Sequence, residues 1–255
     1  MGAGKRKRLE ATVAAIQGRW GRKALQRGPR PEAISALSTG FPALDGILAG
    51  SGGLPRGRIT ELLGEPTSGM ATLALKVAAG LAASARSAYV DLAGTFDPDY
   101  AARCGVNLER LLLVRPHRGL EGLDIVLSLL SRAQLSLIIF DSVTALRAEA
   151  DQAAALSARL AQLPALLSRT PCALLFLTPL RFGPARPTAN YPSYFALPHL
   201  ATLRLELRKE QWLYRDGEMK GYQARVRVLS NKLGRAGQQA TLAITFNGVV
   251  QGDGL

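Results

Sequence analysis

The chain has 255 residues, 47% hydrophobic and 20% charged, enough apolar material for a large buried core, which excludes a disordered or collagenous chain. Thirty-two Lys and Arg against nineteen Asp and Glu leave a net charge of +13 and point to a polyanionic partner. Only Cys104 and Cys172 are present, far apart and without a CxxC or His pairing, which argues against a disulfide framework or a zinc site and suits a reducing cytoplasm.

The charge is unevenly placed. Residues 1–30 hold nine basic residues against Glu10, residues 31–180 are close to neutral, and residues 181–235 hold eleven basic residues against four acidic ones. Leu9, Val13, Ile16 and Trp20 recur at spacings of three and four, predicting a helix from Leu9 to about Leu25 with one narrow apolar stripe. Gly28-Pro29 and Pro31 follow as a linker, so residues 1–30 read as a basic arm and residues 31–255 as the core domain. Lys5-Arg6-Lys7-Arg8 suits phosphate contact or a solubilising tail. Arg19, Arg22 and Lys23 interrupt any signal region, and no apolar run approaches the ~20 residues that cross a bilayer. A cytoplasmic protein with no membrane partner is expected.

Strands then alternate with helices. Arg58–Leu63, Ser87–Leu92, Leu111–Val114, Leu135–Phe140 and Ala173–Leu177 read as near-continuously apolar strands. Helices are predicted from Met70 to Ala83, from Pro98, from Leu120 to Arg132 and from Ala148 to Leu167. This is an α/β fold with a mostly parallel central sheet covered on both faces. Three longer runs with polar alternation, Ala201–Tyr214, Tyr222–Ser230 and Thr241–Val250, read as antiparallel strands that extend it.

After the first strand the chain reads Gly64-Glu65-Pro66-Thr67-Ser68-Gly69-Met70-Ala71-Thr72, where a nucleotide-binding loop would read G-x-x-x-x-G-K-S/T. The glycines keep their spacing, so backbone N–H groups and the next helix N-terminus form an anion nest. Met70 replaces the lysine that neutralises the phosphates, and Ala71 replaces the hydroxyl that ligates Mg²⁺. One lost charge-stabilising donor costs on the order of 10² to 10³ in rate, and here two are missing. Thr72 lies ~100° further round the helix and does not substitute. No cofactor is expected to be turned over and no efficient Mg-ATP hydrolysis follows; weak binding of ATP or ADP stays open. Asp141, after Leu137-Ile138-Ile139-Phe140, reads either as a metal-coordinating carboxylate or as a buried acceptor for Ser142 or Thr144.

Two segments suit DNA. Residues 180–195 interleave Arg181 and Arg186 with Tyr191 and Tyr194 in a Pro-rich loop, where Arg neutralises phosphates and aromatics stack on unpaired bases at ~1 to 3 kcal/mol per base. A rigid surface loop with packed aromatics is the other reading. Arg225, Arg227, Lys232 and Arg235 lie on or after one strand, and alternation puts Arg225 and Arg227 on one face. His117 and His199 are isolated and receive no metal or catalytic assignment.

Taken together these residues resemble the RecA family of recombinases. Ser38-Thr39-Gly40 with Leu44-Asp45, Gly52-Gly53-Leu54-Pro55-Arg56-Gly57-Arg58-Ile59, the loop at 64–72, Val90-Asp91, Asp97-Pro98-Asp99-Tyr100-Ala101, Asp141-Ser142-Val143 and Ser230-Asn231-Lys232 fall in the family's order, from Ala14 to Val250. The resemblance implies a RecA-like core without the family's additional C-terminal domain, and an arm at residues 9–28 that self-associates by docking on a neighbouring subunit. It also implies that Ala93 stands where the family has a water-activating Glu, that the nucleotide-sensing Gln is replaced near Thr178-Pro179, and that of a basic pair reaching a neighbour's nucleotide only Lys232 remains, Ser230 replacing the other.

Such a degenerate site is similar to that of the ImuA-like accessory proteins of SOS mutagenesis. That likeness implies a pseudo-ATPase in DNA-damage-induced mutagenesis, with single-stranded DNA, RecA or a translesion polymerase as partner. An ATP-dependent recombinase and a structural filament-capping subunit are the alternatives.

Overall fold

Residues whose side chains alternate between two buried faces build the sheet, and its helices lie over both. The structure, a computed structural model, describes residues 3–22, 25, 34–48, 50–148, 152–180 and 195–245. The chain divides into two units, residues 1–33 and residues 34–255.

The first unit is the helix α1 (Ala3–Trp20). It starts earlier than the apolar stripe suggested and takes in Lys5 to Arg8, so the basic start is helical rather than a tail. Within this unit Leu9 and Trp20 are exposed, and Arg19 stacks 4.6 Å from the Trp20 ring centre.

The second unit begins with β1 (Ala36–Leu37) paired to β2 (Leu54–Pro55), with α2 (Pro42–Ile47) between them. Asp45 on α2 accepts from Thr39 N, Thr39 Oγ1 and Ser38 Oγ at 2.9, 2.7 and 2.7 Å, which fixes the Ser38-Thr39-Gly40 turn. Then follow β3 (Ile59–Gly64), α3 (Met70–Ala79), β4 (Ser87–Asp91), α4 (Pro98–Arg103), β5 (Leu111–Val114), α5 (Gly119–Arg132), β6 (Leu137–Asp141), α6 (Val143–Ala148), α7 (Ala153–Leu167), β7 (Ala173–Pro179), α8 (Leu197–Leu200), β8 (Leu203–Arg215), β9 (Glu218–Asn231) and β10 (Gln239–Thr245). The helix predicted from Ala148 to Leu167 is described as α7 from Ala153, with α6 ending at Ala148 and residues 149–151 outside the described residues. The last predicted strand is described as far as Thr245, with 246–250 outside the described residues.

The eight-stranded sheet runs β10-β9-β8-β3-β7-β6-β4-β5. From β8 to β5 all neighbours are parallel; β9 and β10 are antiparallel. Two cores result. Leu62, Leu73, Val77, Leu175, Leu205, Val226 and Leu242 pack between α3 and one face. Phe140, Phe176, Leu123, Val126, Leu160 and Leu163 pack between α5, α7 and the other. The parallel pairing sets Gly64 beside Pro179, Leu177 beside Asp141, and Asp141 beside Asp91, so four carboxyl ends of strands meet in one row. In open α/β sheets that is where ligands bind. Among the described residues no helix is long and apolar enough to cross a membrane.

Candidate functional site

The loop of residues 64–72 bridges β3 to α3. Thr67 and Gly69 both adopt positive φ, 65° and 100°, the left-handed conformation that recurs in backbone anion nests, while Ser68 N between them donates to the Glu65 carbonyl at 3.1 Å. Packing demands the glycines. A Cβ on Gly64 would collide with Ser68 Oγ and lie 2.9 Å from Met70 Cγ and 3.0 Å from the Leu207 carbonyl; one on Gly69 would collide with Ile244 Cδ1 and lie 2.8 Å from the Tyr222 hydroxyl. Ser68 Oγ is buried and has no hydrogen-bond partner among the described residues.

The side chains that follow supply neither cation nor hydroxyl. Met70 packs partly buried against the α3 core, and Ala71 is exposed. Thr72 is buried and its Oγ1 lies 2.6 Å from the Tyr100 hydroxyl. Its hydroxyl is thus engaged on the α4 side.

Asp141 is held from the sheet rather than by its own turn. Tyr89, two residues before the end of β4, donates its hydroxyl to Asp141 Oδ2 at 2.6 Å, where Ser142 or Thr144 had been expected as donor. Burial raises the Asp141 pKa, the Asp91 charge adds to this, and the Tyr89 hydrogen bond opposes it. Burial, followed by the Asp141 charge, drives the Tyr89 phenol pKa up as well. Asp91 is buried and accepts from Thr95 N and Phe96 N, with Arg115 Nε 3.3 Å away. Ala93 is exposed on the loop after β4. A metal-bound triphosphate therefore meets no cation at residue 70, no hydroxyl at residue 71, and an Asp141 whose Oδ2 already accepts a proton donor. Among the described residues no cluster of three His, Cys, Asp or Glu could hold a metal ion.

Beside the loop, Thr178 near the end of β7 donates to Glu61 Oε1 at 2.9 Å, and Arg204 Nε of β8 reaches Glu61 Oε2 at 2.6 Å. Glu61 is fully buried at the middle of β3, so this pair ties three strands together beneath the row of strand ends. The sequence reading missed it, although a lone carboxylate in the apolar run Ile59 to Leu63 signals a buried partner. It also missed Tyr222. That ring stands edge-on to Trp212 at 6.0 Å, with Lys209 Nζ 4.1 Å from the Trp212 ring centre, and burial pushes the Tyr222 phenol up to about 12.

The proposed DNA-facing residues separate into three groups. Arg181, Arg186, Tyr191 and Tyr194 lie outside the described residues. Arg225 and Arg227 do share the outer face of β9, since Ala224, Val226 and Val228 between and beside them are buried. Register sets Arg208 opposite Arg225 and Glu206 opposite Arg227, and Arg208, Arg225, Arg227, Glu206 and Gln239 line a concavity of ≈ 240 Å³. Arg208 pairs with Glu206 at 2.9 Å and Arg225 with Glu210 at 2.6 Å; Arg227 has no carboxylate within 4.0 Å among the described residues.

Lys232 does not join that face. It sits past the far end of β9, where Thr202 and Ile59 mark the amino ends of β8 and β3, and its Nζ donates to the His199 carbonyl at 2.5 Å. The antiparallel run of β9 carries Lys232 to the opposite end of the sheet from the phosphate loop, which splits the basic stripe read from the sequence.

The model of the RecA N-terminal domain matches residues 7–251. The chain is 34% identical over 270 residues to "Protein RecA" of Herpetosiphon aurantiacus, covering 98% of this chain and 74% of that one. It is likewise 34% identical over 263 residues to "Protein RecA" of Aquifex aeolicus, covering 95% and 75%. Among solved structures it is similar to the RadB recombinase, with a TM-score of 0.66, 26% identity, and coverage of 83% of this chain and 97% of that chain. The sheet order, the phosphate loop and these matches agree, and the chain belongs to the RecA N-terminal domain family.

Proposed function

We propose that this protein is a RecA-like DNA repair factor that has given up efficient ATP turnover, and acts as a non-hydrolytic accessory in DNA-damage-induced mutagenesis. Its partners are single-stranded DNA together with RecA or a translesion polymerase. The observation that carries this reading is the phosphate loop, whose backbone nest persists while Met70 and Ala71 fill the cation and hydroxyl positions and Tyr89 holds Asp141. Phosphoryl transfer depends on those charges, so binding becomes the remaining task. The outer face of β9 supports the DNA part, because Arg208, Arg225 and Arg227 share one concavity and, with Glu206 paired to Arg208 and Glu210 to Arg225, Arg227 is left with no carboxylate within 4.0 Å among the described residues.

The test is phosphate release from Mg-ATP with and without single-stranded DNA. Background hydrolysis unchanged by DNA, and unchanged by Asp141→Ala, is the expected result. DNA-stimulated hydrolysis that Asp141→Ala abolishes overturns it in favour of an ATP-dependent recombinase, the second reading, which the 34% identity to proteins named RecA supports.

A further inference from the structure

The β8–β9 hairpin runs past β3 on the loop side of the sheet, since β3 pairs with β8 only as far as Leu207, beside Gly64. Cross-strand register in this projecting part places Trp212 opposite Tyr222 and Tyr214 opposite Met219, and Trp212, Tyr214 and Met219 are exposed. Tyr222 ties this face to the phosphate loop, because a Cβ on Gly69 would lie 2.8 Å from its hydroxyl. Lys209 Nζ lies 4.1 Å from the Trp212 ring centre and 5.7 Å from that of Tyr222. Among the described residues no carboxylate lies within 4.0 Å of it. The cation missing at residue 70 thus has a counterpart on the neighbouring strand, one aromatic ring away from Gly69.

The loop holds donors of its own that the chain leaves open. Leu73 N is the first amide of α3 to bond back, to Gly69 O at 2.9 Å, so the amides of residues 70–72 are the donors of a helix start. No side chain caps this ten-residue helix, and Ser68, 1% exposed, carries an Oγ with no hydrogen-bond partner among the described residues. A buried hydroxyl without a partner costs stability, so it points to a ligand that supplies one. Charge selects that ligand. A helix N-terminus is worth about half a positive charge and Lys209 adds one, which is close to the charge of about −1.5 to −2 on a phosphate monoester. A triphosphate brings more charge than these groups answer, and it would extend along the strand ends toward Asp141 and Asp91. Glu65, acidic and on the loop itself, limits it further. We propose that the loop and the β8–β9 hairpin form a metal-free site for the 5′-phosphate monoester of an unpaired nucleotide, with the phosphate on the amides of residues 70–72, Ser68 Oγ and Lys209, and the base on Trp212. This rests on the reading that the loop turns over no ATP, but it is tested without metal and without hydrolysis, so the two fail separately.

The test uses the full chain with Trp20→Phe, which leaves Trp212 as its only tryptophan, and follows that fluorescence in EDTA. The probes are oligo(dA) with a 5′-phosphate, the same strand with a 5′-hydroxyl, dAMP and, with magnesium in place of EDTA, dATP. The 5′-phosphorylated strand should change Trp212 emission and bind at least about tenfold more tightly than the 5′-hydroxyl strand. Lys209→Gln and Ser68→Ala should each remove most of that preference, and a merely structural Ser68 would not move it. Arg225→Ala/Arg227→Ala on the outer face of β9 should weaken both strands alike and leave the preference in place. Binding of dAMP as tight as that of the phosphorylated strand assigns the site to free mononucleotides, and weaker binding assigns it to strand ends. Equal binding of the two strands overturns the proposal, as does a preference that survives both Lys209→Gln and Ser68→Ala. So does Trp212 emission unchanged by the phosphorylated strand, or tighter binding of magnesium-bound dATP than of dAMP.

Discussion

The phosphate loop and the outer face of β9 are the two ends of one exchange. At residues 64–72 the backbone keeps the shape of an anion site and none of its side chains carries a positive charge into it. On β9 the backbone is ordinary antiparallel strand and the charge is concentrated in Arg208, Arg225 and Arg227. The difference shows that loop shape and phosphate chemistry are separable. The shape is fixed by packing, since Gly64 and Gly69 have no room for a Cβ, whereas the chemistry depends on residues 70 and 71, where Met70 is only partly buried and Ala71 is exposed.

The largest effect should therefore come from the loop, and on stability rather than on activity. Gly64→Ala drives a Cβ onto Ser68 Oγ and against the Leu207 carbonyl of the neighbouring strand, and a backbone atom in the middle of a sheet cannot step aside. A loss of about 3 kcal/mol is expected from urea unfolding. A loss within ~0.5 kcal/mol would mean that the loop is free to rearrange, and that its shape is kept for a ligand rather than by packing.

Residues on β9 should behave in the opposite way. Both arginines point away from the core, so Arg225→Ala/Arg227→Ala should change unfolding free energy by no more than ~0.5 kcal/mol. Its effect should appear in binding to single-stranded DNA. Each phosphate contact contributes a slope of about 0.7 in the logarithm of affinity against the logarithm of salt concentration, so losing two lowers the slope by about 1.4. An unchanged slope would show that the face is solvated and that DNA contact lies elsewhere.

The same contrast explains what the sequence made legible. Short apolar runs such as Leu137 to Phe140 and Leu174 to Leu177, alternating with helical patterns, suit strands buried on both faces, and the parallel sheet follows from that alternation. The loop followed from glycine spacing, and its missing chemistry from single residues. Partners that depend on which strands become neighbours were not legible. Tyr89 reaches Asp141 because β4 and β6 pair in register, and Glu61 finds Thr178 and Arg204 because β3 lies between β7 and β8. Chain order does not give sheet order. For the same reason Lys232 looked continuous with Arg225 and Arg227 along the sequence, although β9 carries it to the far end of the sheet.

Asp141 provides the smallest and most selective probe of the comparison, because its two readings give opposite signs with pH. Burial and the nearby Asp91 raise its pKa in the folded protein, despite the hydrogen bond from Tyr89. A carboxyl group with a raised folded pKa favours the fold while both states are protonated. As pH rises the unfolded state releases its proton first, and the stabilisation is lost through the folded pKa. Asn has no proton to release and its Oδ1 still accepts from Tyr89. Asp141→Asn should therefore match the unmodified chain in acid and exceed it at pH 7, by less than ~2 kcal/mol, when unfolding is followed from pH 3 to pH 8. A variant that instead loses stability as pH rises would show that the ionised carboxylate is favoured in the fold. That is the electrostatic setting a metal-coordinating aspartate needs, and it would return this end of the sheet to nucleotide chemistry.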